Sequence, residues 1–67
     1  MKLRINGEIR EFENNLTNVS ELLSALKINS RFVAVELNGK VIYKEDFDKT
    51  LIKEGDKVEV VSFVGGG

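Results

Sequence analysis

The sequence predicts an α+β domain in which one helix packs on a mixed sheet of about five strands. Several short segments alternate apolar and polar residues, one segment repeats with the helical period, and two Asn-Gly pairs separate neighbouring strands. A chain of 67 residues forms one small domain and buries only about 60% of its unfolded surface. We therefore expect a two-layer domain over residues 1–64 and a flexible glycine tail over residues 65–67.

The first two strands are predicted to form a hairpin. Apolar residues occupy every second position at the start of the chain, which is the period of a half-buried strand: Met1, Leu3 and Ile5. Asn6-Gly7 follows and favours a type I′ turn, in which both central residues have positive φ. Residues 8–12 are then the returning strand.

A helix is predicted to begin after Asn18, which can cap it, with Glu21 completing a pair that resembles a capping box. It should end near Lys27. Four residues share one apolar stripe at i, i+3, i+4 and i+7: Val19, Leu22, Leu23 and Leu26.

The second half of the chain should supply three more strands. Residues 32–37 and 40–43 flank a second Asn-Gly pair, and Phe47 should anchor a charged surface turn before Leu51 and Ile52 return to the core. Residues 54–56, Glu-Gly-Asp, are a predicted tight turn before the last strand, residues 57–64. The continuous apolar run at Val60-Val61 indicates a strand that is covered on both sides or lies centrally in the sheet. If the first and last strands pair, they must run parallel for the tail to leave at the far end, which puts the last strand in the middle of the sheet. The expected core comprises Leu3, Ile5, Val19, Leu22, Leu23, Leu26, Val33, Val35, Leu37, Val58 and Val60.

Composition excludes several classes of function. Ten basic and eleven acidic residues give a net charge of −1, without the basic footprint of a nucleic-acid-binding protein. The absence of Cys and His removes thiolate nucleophiles, the usual neutral-pH base and the commonest metal ligands. Acidic turn residues are expected to be solvated and not to form a metal site. No segment has the length of a membrane span or a signal peptide. We expect a cytoplasmic protein that is monomeric alone and is not itself an enzyme.

Three glycines end the sequence, Gly65-Gly66-Gly67, directly after the last predicted strand. Glycine loses more backbone freedom on ordering than any other residue, so a glycine tail contributes little to folding. Fully extended, three residues reach roughly 10 Å, which would carry the carboxylate of Gly67 into another protein's active site. The alternatives are a frayed terminus and the remnant of an engineered end.

The order of these elements, with glycines at the end, resembles the β-grasp fold of ubiquitin-like proteins and, more narrowly, the ThiS family of sulfur carrier proteins in thiamin biosynthesis. The resemblance covers the whole chain. It is carried by Asn6-Gly7, the helix around Glu21, residues 32–39, residues 52–60 and the terminal Gly66-Gly67 pair. The third glycine, Gly65, exceeds the family's minimal tail.

This resemblance implies a chemistry for the tail. Gly67 would be adenylated with ATP by a separate ThiF-like adenylyltransferase, because nothing in this chain binds a phosphate group. Sulfur from a cysteine persulfide would then give a thiocarboxylate, and a ThiG-like thiazole synthase would accept that sulfur. Gly67 and Gly66 are the residues expected at the reacting end. No cofactor is expected to remain bound to the chain itself.

A docking surface is also expected, because a glycine tail buries little apolar area on binding. In the strand alternation, Phe32 and Ala34 are on the other face of the strand from Val33, and Val61 and Phe63 are on the other face from Val60. If these outward residues cluster, they form an apolar patch for a partner. We predict Phe32, Val61, Phe63 and Gly65 as partner-binding residues. The alternatives are isolated exposed residues or a patch covered by residues 43–52.

Three rival functions remain open from the sequence alone. A MoaD-like carrier for molybdopterin synthesis would use the same chemistry at Gly67. A ubiquitin-like modifier would form an isopeptide bond with a lysine instead of donating sulfur. A plain interaction module would keep its binding activity without Gly66 and Gly67, whereas a carrier would lose its function.

Overall fold

A computed structural model describes residues 1–63, which form one helix packed on a five-stranded mixed sheet. The strands are β1 (Lys2–Ile5), β2 (Glu8–Glu11), β3 (Val33–Leu37), β4 (Lys40–Ile42) and β5 (Lys57–Ser62), and the helix is α1 (Val19–Ala25). Short 3₁₀ turns span Ser30–Phe32 and Lys44–Asp46. The predicted α+β class and order of elements are confirmed. Val64 and the predicted tail lie outside the described residues.

The sheet order is β2-β1-β5-β3-β4, with β5 in the centre. β1 and β5 run parallel, while the other three pairs are antiparallel. The prediction of a central last strand parallel to the first is therefore confirmed. β5 therefore has a neighbouring strand on each side, with β1 pairing at Lys57 and Val58 and β3 pairing along five residues.

Both Asn-Gly pairs form the turns that the sequence predicts. Asn6 and Gly7 have φ of 49° and 85°, and Asn38 and Gly39 have φ of 52° and 85°. These angles match a type I′ turn, whose twist agrees with that of the flanking strands. The two hairpins, β1–β2 and β3–β4, lie on opposite sides of β5 in the sheet.

The helix ends are set by local hydrogen bonds. The Oδ1 atom of Asn18 accepts the backbone N–H of Glu21 at 2.8 Å, as predicted for an N-cap. The Glu21 carboxylate reaches back one residue further than expected and accepts the N–H of Thr17 at 2.7 Å. At the other end Lys27 has φ of 60°, and the N–H of Ile28 donates to the carbonyl of Leu23 at 2.9 Å. This is a Schellman motif with lysine where glycine is usual.

The core lies between α1 and the inner face of the sheet. Nine of the eleven expected core residues are buried, and the remaining two, Leu26 and Leu37, pack against the cluster partly buried. Phe47 and Ile52 complete the core. Phe47 is only 3% exposed, which confirms it as the anchor of the surface turn after β4.

Three local expectations were wrong. Leu51 is 63% exposed, because the backbones of Thr50 and Ile52 bond to residues 17–19 and the alternation then turns Leu51 outward. Phe32 belongs to a 3₁₀ turn and not to β3. Asp56 is 8% exposed instead of solvated, because its carboxylate has partners inside the fold.

Candidate functional site

The end of β5 is the part of the described chain from which the predicted tail continues. β5 pairs with β1 through Lys57 and Val58 and with β3 along five residues, from Val58 to Ser62. The backbone N–H of Phe63 then donates to the carbonyl of Phe32 at 2.7 Å, so the pairing with the β3 side persists past the strand's end. The chain is thus held in the sheet up to four residues before Gly67.

The side chain of Asn6 fixes the exit half of β5. Its Nδ2 atom donates to the carbonyl of Val60 at 3.0 Å, and its Oδ1 atom accepts the N–H of Val60 at 2.7 Å. The amide thereby satisfies both backbone groups of Val60, as another strand residue would. Asn6 consequently extends the support of β1 along β5 beyond the two paired residues.

The side chain of Asn38 fixes the entry half of β5. Its Oδ1 atom accepts the N–H of Lys57 at 2.9 Å, and its Nδ2 atom donates to Asp56 at 3.0 Å. The other carboxylate oxygen of Asp56 accepts the N–H of Lys53 at 2.8 Å. Both oxygens of the buried carboxylate therefore have a hydrogen-bond partner, and the bond to Asn38 joins the 54–56 turn to the β3–β4 turn.

An apolar patch lies on the outer face of the sheet beside the exit of β5. Ala34 is opposite Val61 in the β3–β5 register, and the hydrogen bond between Phe63 and Phe32 puts these two residues next in line. Val61, Phe63 and Phe32 are 57%, 62% and 45% exposed. We call Phe32, Ala34, Val61 and Phe63 the outer-face patch. The structure brings together the outward residues that the sequence singled out, and residues 43–52 do not bury them.

The predicted tail residues Gly65, Gly66 and Gly67 lie outside the described residues, and their roles stay predictions. The role of Phe32, Val61 and Phe63 in partner binding also stays a prediction, although their clustering is observed. Within residues 1–63, no group of three or more His, Cys, Asp or Glu side chains could hold a metal ion. No helix in the described part of the chain is long and apolar enough to cross a membrane.

Asn6 and Asn38 are turn residues, as the sequence predicts, but each side-chain amide also bonds to the central strand. We call these two sets of contacts the asparagine clamps; the sequence pattern did not predict them. An Asn-Gly pair signals only the turn. The second role depends on where β5 passes, and only the assembled sheet shows it.

A small β-grasp domain whose central last strand leads to a glycine tail, beside an exposed apolar patch, has the architecture of a ubiquitin-like carrier protein. The sequence profile of the ThiS family matches residues 3–67. The chain belongs to the ThiS family, which comprises sulfur carrier proteins of thiamin biosynthesis with a ubiquitin-like fold.

Solved structures and sequence relatives agree with this assignment. The crystal structure of the thiamine biosynthesis protein ThiS from Geobacter metallireducens superposes with a TM-score of 0.86 at 48% identity, and the match covers all of both chains. The sulfur carrier protein ThiS of Bacillus subtilis is 31% identical over 65 residues, covering 97% of this chain and 98% of the relative.

Two longer proteins also contain a region that is similar to this chain. A thiazole synthase of Paramagnetospirillum magneticum is 46% identical over 67 residues, which is 100% of this chain but only 20% of that protein. A thiazole synthase of Magnetococcus marinus is 37% identical over the same length and fraction. The chain thus spans a fifth of the length of these relatives.

Proposed function

We propose that this chain carries sulfur as a thiocarboxylate on Gly67 and donates it to thiazole formation in thiamin biosynthesis. The observation that supports this most is the geometry of β5, whose hydrogen-bonded course ends beside the outer-face patch and leads toward the glycines. Membership of the ThiS family agrees with it. In this proposal the chain is the substrate of other enzymes and not a catalyst.

The first step is activation of the carboxylate. A ThiF-like adenylyltransferase joins the Gly67 carboxylate oxygen to the α-phosphorus of ATP and releases pyrophosphate. Hydrosulfide, or its equivalent from a persulfide and a thiol reductant, then attacks the acyl carbon, forming a C–S bond while AMP departs with the C–O bond electrons. Glycine suits this position because it leaves the acyl carbon free of a neighbouring side chain.

The outer-face patch is the proposed contact with the adenylyltransferase. An extended glycine tail gains little from apolar burial, so the free energy that orders it on binding comes from contacts elsewhere. Two aromatic side chains near the tail meet that need, since aromatic residues contribute most strongly at interfaces. Phe63 is only four residues from Gly67, so docking there also places the tail.

The acceptor of the sulfur is proposed to be a thiazole synthase. Two thiazole synthases contain a region resembling this chain over its full length, and a carrier domain within a synthase is consistent with sulfur passing between the two. The free chain would make the same contact as a separate protein, which we expect to be monomeric on its own.

Reconstitution of thiazole formation tests the proposal. Chain loaded as the thiocarboxylate is mixed with purified thiazole synthase and its other substrates, with ³⁵S placed only on the carrier. The expected result is ³⁵S in the thiazole, at one sulfur for each carrier consumed. Label that stays on the carrier here, but moves to the dithiolene of molybdopterin in a parallel reaction with molybdopterin synthase, would overturn the thiamin assignment.

A further inference from the structure

A groove lies between β4 and the segment that follows it, away from the outer-face patch. Its volume is about 620 Å³, within the range of sites that bind ligands or peptide side chains. We call it the edge groove. Its apolar lining is Leu37, Val41, Ile42, Tyr43 and Leu51. Tyr43 and Leu51 are among the most exposed large apolar residues of residues 1–63.

The backbone of β4 presents unused hydrogen-bonding groups. β4 is the last strand of the sheet and pairs only with β3 in the sheet that residues 1–63 form. Lys40 and Leu37 flank the two-residue turn and form the first hydrogen-bonded pair of the hairpin. Because hydrogen-bonded pairs alternate along antiparallel strands, Lys40 and Ile42 bond to β3, and the N–H and C=O of Val41 point away from β3. An extended segment from another protein could therefore add a strand at Val41.

The rim of the edge groove is basic. Lys40, Lys49 and Lys53 line it together with two acids, Asp46 and Asp56. The Asp56 carboxylate is already bonded to Asn38 and the N–H of Lys53. Within residues 1–63 one ion pair is found, and it joins the N-terminus to Glu11. None of the three lysines therefore forms an ion pair within that range. A net positive rim on a chain of net charge −1 complements an acidic ligand.

We propose that the edge groove binds an extended acidic segment of a partner protein, which adds a strand to β4. Its backbone bonds to Val41, an apolar side chain lies between Tyr43 and Leu51, and carboxylates face Lys40, Lys49 and Lys53. This second docking surface goes beyond the proposed sulfur carriage and does not depend on it. It would allow a partner to hold the carrier while the outer-face patch and the tail remain accessible.

Self-association through the same edge is disfavoured by the charges. Two copies paired through β4 would bring two basic rims together, and lysine on an edge strand is a common means of preventing such pairing. The same lysines favour a strand that carries carboxylates. Charge thus selects a foreign acidic strand over a second copy of this chain.

The test is a titration of the full, ¹⁵N-labelled chain, observed by NMR, with the capped pentapeptide acetyl-Glu-Val-Glu-Leu-Glu-amide. The expected result is chemical-shift change confined to residues 40–43 and 49–53, with slower exchange of the Val41 N–H. Reversing two rim charges, Lys49→Glu with Lys53→Glu, should weaken binding about tenfold, since each exposed pair contributes up to about 1 kcal/mol. Lys27→Glu, a single charge reversal on the C-terminal side of the helix, is the control and should bind as the parent does.

Four results would overturn the proposal. They are equal binding of the corresponding peptide with lysine in place of glutamate, shifts centred on the outer-face patch, concentration-dependent shifts at β4 without peptide, and no shift at millimolar peptide. The ¹⁵N spectrum itself shows whether each variant is folded, so loss of binding cannot be confused with loss of structure.

Discussion

The two faces of the same two strands differ sharply in what covers them. On the inner face of β3 and β5, Val33, Val35, Val58 and Val60 are buried against α1 and the segment around Phe47. On the outer face the residues between them are also apolar at the exit end, yet they remain exposed: Phe32, Ala34, Val61 and Phe63. The inner apolar residues are explained by folding. The outer ones are not, and an exposed apolar patch of this kind is what the proposed partner contact requires.

The largest expected effect is on the inner face. Leu22→Ala removes a fully buried side chain from α1 and should lower the free energy of unfolding by about 2–5 kcal/mol. Urea denaturation followed by circular dichroism measures this. Ile9→Ala, an exposed apolar residue on β2, is the control and should stay within about 0.5 kcal/mol of the parent. Equal losses in both variants would remove the energetic distinction between the faces.

The next effect concerns the Asn6 clamp, which joins the β1–β2 turn to β5. Asn6→Gly keeps the positive φ of the turn but removes both bonds to Val60, which should cost about 1–3 kcal/mol. Asn6→Ala adds backbone strain and should cost more. Hydrogen exchange should quicken at the Val60 N–H in both variants. Unchanged exchange at Val60 with unchanged stability would show that the clamp contributes nothing.

The smallest effect on stability, with the clearest effect on function, is expected on the outer face. Phe63→Ala should change the free energy of unfolding by no more than about 0.5 kcal/mol. It should raise the KM of the adenylyltransferase for the carrier about tenfold or more, as truncation of an aromatic anchor does at an interface. Pyrophosphate release measures this, with Ile9→Ala as the control. An unchanged KM for Phe63→Ala would count against the outer-face patch.

Much of the fold was predictable because it depends on local signals. The two Asn-Gly turns, the Asn18 cap and the apolar stripe of α1 are each encoded within a few residues. The central place of β5 followed from its continuous apolar run and was also correct. The outward position of Val61 could be identified from the strand alternation alone. Phe32 and Phe63 were also predicted to face outward and are exposed, although they lie just outside β3 and β5.

The expectations that failed depend on contacts between distant segments. Leu51 is exposed because its neighbours bond to the start of the helix, and Asp56 is buried because Asn38 and Lys53 surround its carboxylate. The edge groove arises where β4 meets residues 46–53. No short sequence pattern encodes these tertiary contacts, since they depend on the path of the whole chain.

The most direct test of the central claim is the intact mass of the protein after incubation with ATP, sulfide and a ThiF-like adenylyltransferase. Full-length chain is compared with chain that lacks Gly67. We predict a mass increase equal to the exchange of one oxygen for one sulfur in the full-length chain alone. No increase, or the same increase in both chains, would contradict sulfur carriage at Gly67.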